Sequence, residues 1–489
     1  MSGSVRFVMG GRVVEVRGVS PTTTVLDWLR ANGRCGSKEG CAEGDCGACT
    51  VVLGERTPDG EAGPPVRYRA VNACILFLPM IDGKLLLTVE DLADEDGDLH
   101  PVQQALLEAN ASQCGFCTPG FAMALFALYH AGAAPDDPAI HDALAGNLCR
   151  CTGYRPILEA ARRMRPHIDV TDRFQRSEAG ILALLRSVER EGTLEVSGQG
   201  GTFLAPRTVA DLAALYARHP DATLVAGATD VGLWVTKGHR SLPVLIHLEP
   251  VAELHRVTEA ADHLDIGAAA TYAALLPSLD RHLPAFAALV RRIGAAQVRN
   301  SGTLGGNVAN GSPIGDSMPA LLALDAELVL NRDGVRRVVP LDGFYTGYRT
   351  SVLQAGEFVE RIRIPFPDPG ERFAVWKVSK RRDQDISAVC AAFRLSLDDA
   401  GGVTGFRAGY GGMAAIPARA RAAEAAVIGR PWTAQTAAAA AEALSLDFSP
   451  ITDARASSDF RAAVARNLLL RFHRYTTGEE AYALEDVHG

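Results

Sequence analysis

The chain has 489 residues, 47% of them hydrophobic and 22% charged, with a formal net charge of -8. No run approaches the ~18 consecutive apolar residues of a membrane span, and no basic tract marks nucleic acid or an anionic membrane as partner. At about 100 to 200 residues per domain, three or four domains are expected.

Val5 to Met9 and Arg12 to Val16 alternate apolar and polar residues about Gly10-Gly11, the pattern of a two-residue β-hairpin. Thr22 to Thr24 offer an N-cap to a short helix with Val25, Leu26, Trp28 and Leu29 on its apolar face, and Asn32-Gly33 stop it. Next comes GCAEGDCGACT, which places Cys41, Cys46 and Cys49 in a C-x4-C-x2-C array among glycines. That spacing lets thiolates wrap a [2Fe-2S] cluster as in plant-type ferredoxins, with Cys74 in VNACIL as fourth ligand. Glycine lets the backbone turn its N–H groups toward sulfur where a Cβ would clash. A structural zinc site competes, but zinc favours paired C-x2-C knuckles or added histidines, which are missing here. Cys35 falls outside the spacing and reads as a bystander. Hairpin, helix, cysteine loop and a strand from Thr50 to Leu53 predict a β-grasp domain over residues 1–88.

Of ten cysteines, nine precede residue 152 and the tenth is Cys390. The second group is Cys114 and Cys117 in QCGFCTPG with Cys149 and Cys151 in NLCRCTGY. Thr118 can cap a helix with Pro119 at its first position; Phe121 to Tyr129 is apolar on all faces, and Gly132 ends it. Pro138 opens a second helix that stops at Gly146. Each cysteine pair thus sits outside a helix end, predicting a four-helix-type [2Fe-2S] domain over residues 89–166. Two complete sets of four ligands in 151 residues argue for two clusters rather than a zinc ribbon or a redox dithiol.

Residues 167–197 read as a polar, irregular linker, and Gly198, Gly200 and Gly201 as a flexible link rather than a phosphate loop. Thr223 to Ala226 reads as a strand, and GATDVG turns the chain into a helix near Leu233; such a turn exposes successive N–H groups suited to a pyrophosphate. Ser301 to Asp316, with five glycines and several polar side chains, reads as a nucleotide-binding loop before a helix from Met318 to Leu324. A nucleotide-binding domain over residues 198–370, which the resemblance below implies is an FAD-binding domain, and a small α+β domain over 371–489 follow. Strands are expected at Arg372 to Lys380 and Val389 to Leu397. Helices are expected at Ala418 to Gly429, Trp432 to Leu444 and Asp459 to Tyr475. On composition alone, Lys377 and the run Lys380 to Arg382 read as solvated edge charge. Together these elements make a multidomain α+β chain.

With GCAEGDCGACTV, QCGFCTPG, NLCRCTGYRPI, LVAGATDVG, GTLGGN, SPIGD and WKVSKRRDQDIS in this order, the chain resembles the molybdenum hydroxylase family over essentially its full length. Within the family the resemblance is to the iron–sulfur/FAD subunits of bacterial xanthine dehydrogenases. It implies that Cys41, Cys46, Cys49 and Cys74 hold one [2Fe-2S] cluster, and Cys114, Cys117, Cys149 and Cys151 the other. It implies FAD in a vanillyl-alcohol-oxidase-type domain. There Leu224, Val225, Ala226, Gly227, Ala228, Thr229, Asp230 and Val231 cradle the pyrophosphate. Thr303, Leu304, Gly305, Gly306, Asn307 and Asp316 contact the rest of the cofactor, and Ile293, Val359 and Lys377 match flavin contacts. Ile293 stands where relatives often carry a stacking aromatic, and Gln384 interrupts an acidic run near the flavin. Gln113 matches a position that touches the molybdopterin. The expected function is electron transfer from a molybdopterin-binding partner subunit, which hydroxylates a purine, through both clusters to FAD and then NAD+. The expected assembly is a heterotetramer with two copies of each subunit, located in the cytoplasm since no secretory signal is seen. An aldehyde or N-heterocycle oxidoreductase built from the same modules is the nearest alternative, and a zinc-bearing scaffold the alternative from another class.

Overall fold

The computed structural model describes residues 3–58, 60, 62–94, 96–131, 135–164 and 171–483. The chain divides into two compact units. The first comprises Met1–Leu215, Asp221–Val251 and Gly294–Gly302, the second Tyr216–Pro220, Ala252–Ile293 and Thr303–Gly489.

The first unit opens on the expected hairpin. Gly10 and Gly11 both take positive φ, 56° and 70°, as a two-residue turn between right-twisted strands demands, and Val5–Met9 pairs antiparallel with Arg12–Val16. Thr24 caps the helix Val25–Ala31 by accepting the Asp27 N–H at 3.0 Å, and Val25, Leu26 and Leu29 are buried. The sheet runs Arg12–Val16, Val5–Met9, Leu85–Leu87, Thr50–Arg56, Val66–Asn72; Val5–Met9 lies parallel to Leu85–Leu87. This is the predicted β-grasp arrangement.

Four helices follow: Pro101–Glu108, Thr118–Tyr129, Asp137–Leu144 and Arg155–Arg163. Thr118–Tyr129 is buried from Gly120 to Phe126, as its all-round apolar face requires. Its cap is Cys117 rather than Thr118, whose hydroxyl instead shares a 2.8 Å hydrogen bond with Ser112. Asp136, whose side chain accepts the Ala139 N–H, caps the next helix. The stop expected at Gly132 and the boundary expected between residues 166 and 167 lie outside the described residues.

From residue 171 on, the stretch read as a linker is ordered structure. Glu178–Val188 is a helix whose Leu185 and Val188 join the core beneath the second cysteine group. Leu194–Gly198 and Gly201–Ala205 form a hairpin. Gly200, at φ 96°, sits in its tight turn and Gly201, at φ 146°, opens the second strand, so these glycines serve a hairpin rather than a flexible link. That hairpin starts a sheet ordered Leu194–Gly198, Gly201–Ala205, Val244–His247, Thr223–Val225, with the last three strands parallel.

In the second unit a five-stranded antiparallel sheet runs Val257–Glu259, His263–Gly267, Glu357–Pro365, Glu327–Arg332, Val335–Pro340. It packs against Tyr272–His282, Pro284–Arg291, Leu304–Asn310 and Ser317–Ala323 in one core. A second sheet runs Arg372–Val378, Val389–Leu397, Val403–Gly411, Ala418–Arg419. Its core includes residues of the helices Arg421–Val427, Ala434–Asp447 and Ser458–Thr476. The strand Val403–Gly411 carries glycines that mask it in the sequence. One of them, Gly409, has the Pro319 carbonyl where a Cβ would stand, so the strand approaches the helix Ser317–Ala323 closely. Among the described residues no helix is long and apolar enough to cross a membrane.

Candidate functional site

The loop between the helix Val25–Ala31 and the strand Thr50–Arg56 folds around Cys41. The backbone N–H groups of Asp45 and Cys46 point at its Sγ, each at 3.3 Å, and that of Glu43 at 3.5 Å, while the Cys41 N–H points at Cys46 Sγ at 3.3 Å. Glycine makes this possible. A Cβ on Gly40 would stand 2.7 Å from Cys46 Sγ, and one on Gly44, at φ 82°, would stand 2.7 Å from Ile75 Cδ1. Cys74 lies in the turn after Val66–Asn72 and, with Cys49, is buried. Cys41 interacts with both Cys46 and Cys74, and Cys49 with Cys74, so the loop and the turn bring all four sulfurs together.

These contacts polarise the thiols. Cys46 first, then Cys74 and the N–H groups of Glu43 and Asp45, hold Cys41 well below the ordinary thiol value, while Cys41, Cys49 and burial push Cys74 far up. A set that gathers N–H donors on one sulfur while burying the next two suits anionic sulfur held by metal better than four neutral thiols. Cys35 is exposed and stands outside the group.

The second quartet assembles from two loops. Cys114 and Cys117 precede Thr118–Tyr129, while Cys149 and Cys151 precede Arg155–Arg163. Cys114 interacts with Cys151, and Cys117 with Cys149. The Phe116 N–H, then Cys151, lower Cys114. Burial, then Cys149, pushes Cys117 up to about 12. Thr152 donates its hydroxyl to Cys149 Sγ at 3.2 Å. Cys149 is buried but Cys114 and Cys151 are exposed, beside exposed Gln113, Phe116, Leu148 and Tyr154. All ten cysteines are free of disulfides.

The flavin candidates fall in both units. In the first, Leu224–Val231 spans the end of the strand Thr223–Val225 and the turn into Val231–Thr236. A Cβ on Gly227 would overlap the Ser301 carbonyl, and Ala228 is held at φ 58°, a left-handed conformation costing an alanine ~1 kcal/mol. Strain of this kind persists where a turn must present its backbone.

In the second unit, the stretch expected to be one open loop contains the helix Leu304–Asn310. Thr303 Oγ1 caps it by accepting the Gly306 N–H at 3.0 Å, and Gly311, at φ 59°, ends it. Gly305 serves close packing, its missing Cβ replaced by Ala268. Asn307 Oδ1 is buried without a hydrogen-bond partner among the described residues, as an atom meant for a ligand would be. Val359 is buried in Glu357–Pro365, and Ile293 packs against the same core. Lys377 is not solvated. Its Nζ lies 2.8 Å from Asp316 Oδ2 and donates to the Arg292 carbonyl at 3.0 Å, and Ser387 Oγ donates to the other Asp316 oxygen. Cys390 is buried beside the Asp316 carbonyl.

Sequence reading missed one further constellation. His100 and Asp172 are buried and His130 is half-buried, with their ligand atoms within 4.8 Å of one another. Val102 N–H donates to His100 Nδ1, which places the ring proton on Nε2, 2.8 Å from Asp172 Oδ2, where a metal would need a bare nitrogen. His130 Nε2 lies 2.9 Å from the same oxygen, and Asp172 Oδ1 accepts the Gln175 N–H. The triad therefore ties the segment after residue 170 to the helices on either side of the second cysteine loop. Burial holds His100 below the ordinary histidine value although Asp172 pulls it up. A base lowered on folding is protonated first in the unfolded chain, so its stabilisation is complete above about pH 6.5 and is lost as pH falls below it. Thermal unfolding of this unit is expected at lower temperature at pH 5.5 than at pH 7.5. His100→Asn, which keeps a helix cap, should flatten that dependence; an unchanged slope would exclude His100 as its origin.

Four family models cover most of the chain: 2Fe-2S iron-sulfur cluster binding domain over residues 8–78, [2Fe-2S] binding domain over 88–162, FAD binding domain in molybdopterin dehydrogenase over 197–367, and CO dehydrogenase flavoprotein C-terminal domain over 374–476. Among solved structures, a carbon monoxide dehydrogenase from Hydrogenophaga pseudoflava is 30% identical with a TM-score of 0.52, covering 55% of this chain and 94% of its own. The chain belongs to the molybdenum hydroxylase family. Quinoline 2-oxidoreductase from Pseudomonas putida 86 is a second structural relative of this family, 25% identical with a TM-score of 0.52 over 57% of this chain and 97% of its own. Among curated proteins, xanthine dehydrogenase of Emericella nidulans is 32% identical over 88% of this chain and 35% of its own length. Aldehyde oxidase 2 of Cavia porcellus is 32% identical over 95% and 39%. The chain thus spans about a third of the length of the curated relatives it matches.

Proposed function

We propose that the chain is the iron–sulfur/FAD subunit of a xanthine dehydrogenase, passing electrons from a molybdopterin-binding partner to NAD+. The observation that carries this reading is the convergence of two complete cysteine quartets, Cys41, Cys46, Cys49 and Cys74, and Cys114, Cys117, Cys149 and Cys151, in a chain that also matches an FAD-binding domain. When bound, the clusters supply one-electron transfer and the flavin a two-electron exchange with the acceptor. The chain's own residues hold and tune. Glu43, Asp45 and Cys46 donate N–H groups to Cys41 Sγ, and Thr152 donates to Cys149 Sγ. Gly227 and Ala228 present their backbone to the pyrophosphate, Asn307 offers its unpartnered oxygen, and Lys377 with Asp316 holds fixed charge at the flavin.

The exposed edge of the second quartet is the face we assign to the partner. Phe116, Leu148 and Tyr154 are 46%, 43% and 39% exposed there, an apolar surface that a solvent-facing loop has no reason to keep. The purine substrate and NAD+ follow the relatives named xanthine dehydrogenase, the assembly is a heterotetramer with two copies of each subunit, and its place is the cytoplasm. The relative named aldehyde oxidase 2, equally identical, favours an aldehyde substrate as the second reading.

The test is the metal and flavin content of the purified protein with its co-purifying partner, read with the visible spectrum. About four irons and one FAD per chain, with molybdenum in the partner and NAD+ reduced on adding xanthine, are expected. Zinc in place of iron, or no flavin, would overturn the reading. Turnover of aldehydes but not purines would move it to the second.

A further inference from the structure

The two cysteine loops of the first unit meet at a junction where no side chain fits. Gly47, at φ 67°, has the Gly146 carbonyl where its Cβ would stand, and Gly120 in turn has the Gly47 carbonyl. Across this contact Leu148 donates its N–H to the Cys46 carbonyl at 2.9 Å, linking a neighbour of Cys149 to a residue of the first quartet. Close approach of bare backbone fixes a spacing only if something holds it in register.

Two carboxamides do so. Asn147 donates its Nδ2 to the Gly47 carbonyl at 3.0 Å and to Thr50 Oγ1 at 3.3 Å, and its Oδ1 accepts Gln297 Nε2 at 2.8 Å. Asn147 is 2% exposed and Gln297 1%. Since both Asn147 amide hydrogens go to the first loop, its oxygen must face Gln297, and the orientation of the pair is settled by the bonds it makes. Gln297 Oε1 takes the place of the side chain that Gly146 lacks and has no hydrogen-bond partner among the described residues. Leaving a buried carbonyl unpaired is costly, which the fold tolerates to bring the donor end to Asn147. The segment carrying Gln297 is itself anchored. Arg299 pairs with Asp142 at 2.6 Å, Arg69 donates to the Asn300 carbonyl at 2.6 Å, and Asn300 donates to the Ala70 carbonyl at 3.0 Å.

We propose that Asn147 and Gln297 are positioning residues that set the separation and mutual orientation of the two cysteine quartets. This rests on the reading above that each quartet holds a cluster. Neither residue touches a cysteine sulfur in the structure's hydrogen bonds, so they act through Gly47, Thr50 and the peptide that follows Asn147 rather than as ligands.

The experiment compares the intact protein with Asn147→Ala and Gln297→Met, the latter keeping volume but not the donor. Iron content and the low-temperature electron paramagnetic resonance of the fully reduced protein are measured for each. The expected result is full iron and both signals in each variant, with the dipolar coupling between the two reduced centres weakened or lost. Unaltered coupling in Gln297→Met with full iron would overturn the positioning role. So would loss of iron from one quartet in Gln297→Met, since that would make the amide pair part of a cluster cradle. Absence of iron in the unaltered protein would instead overturn the cluster reading itself, so the two failures are distinguishable.

Discussion

Cys149→Ser is expected to remove one of two iron–sulfur signals in electron paramagnetic resonance and to halve the iron, from about four atoms per chain to about two, while FAD stays bound. Serine differs from cysteine by one atom, so folding should tolerate it. Its hydroxyl, however, does not ionise near neutral pH and is a poor ligand for iron. The site is also the least replaceable of its quartet. Cys149 is buried, receives the Thr152 hydroxyl at 3.2 Å, and is carried on the loop that Leu148 ties to Cys46. Cys49→Ser should remove the other signal, since Cys49 is buried and interacts with Cys74 of its own quartet. Cys35→Ser is the control: the thiol is exposed and stands outside both groups, so both signals and all the iron should remain. Retention of both signals in Cys149→Ser would refute the ligand assignment. Loss of both would show that the quartets do not load independently.

The convergence of each cysteine quartet was legible because residue type and spacing within one or two loops are properties of sequence. The same holds for the hairpin at Gly10-Gly11 and for the helix Thr118–Tyr129, whose signals are local. What stayed hidden depends on distant partners. Asn147 and Gln297 are 150 positions apart, and His100 and Asp172 are 72 apart. No periodicity marks a polar residue that will be buried because another polar residue meets it. The glycines at Gly200 and Gly201 were visible, but their role was not: positive φ serves a flexible link, a phosphate loop and a tight hairpin alike. In Ser301 to Asp316 the polar richness that suggested an open loop was partly the capping chemistry of a short helix, with Thr303 at its start and Gly311 at its end.

Lys377→Met is expected to destabilise the second unit by about 3–5 kcal/mol, the cost of leaving a buried charge without its partner. On composition alone Lys377 reads as solvated edge charge, yet it is 2% exposed and Asp316, its partner, 8%. The partner lies 61 residues earlier, beyond any local pattern. Asp316 keeps a hydrogen bond from Ser387 after the substitution, but one hydroxyl does not offset the lost ammonium. Lys377→Met combined with Asp316→Asn should recover much of the loss, because a neutral amide can still accept from Ser387. Chemical unfolding followed by tryptophan fluorescence reads this directly, since Trp376 is buried on the same strand. Flavin content measured below the unfolding transition separates the two roles assigned to the lysine. If Lys377 contacts the cofactor, the double variant holds less FAD than Asp316→Asn alone, which carries any loss due to the aspartate itself. If it serves only Asp316, the double variant holds as much FAD as Asp316→Asn alone, and the flavin contact assigned to this residue is withdrawn.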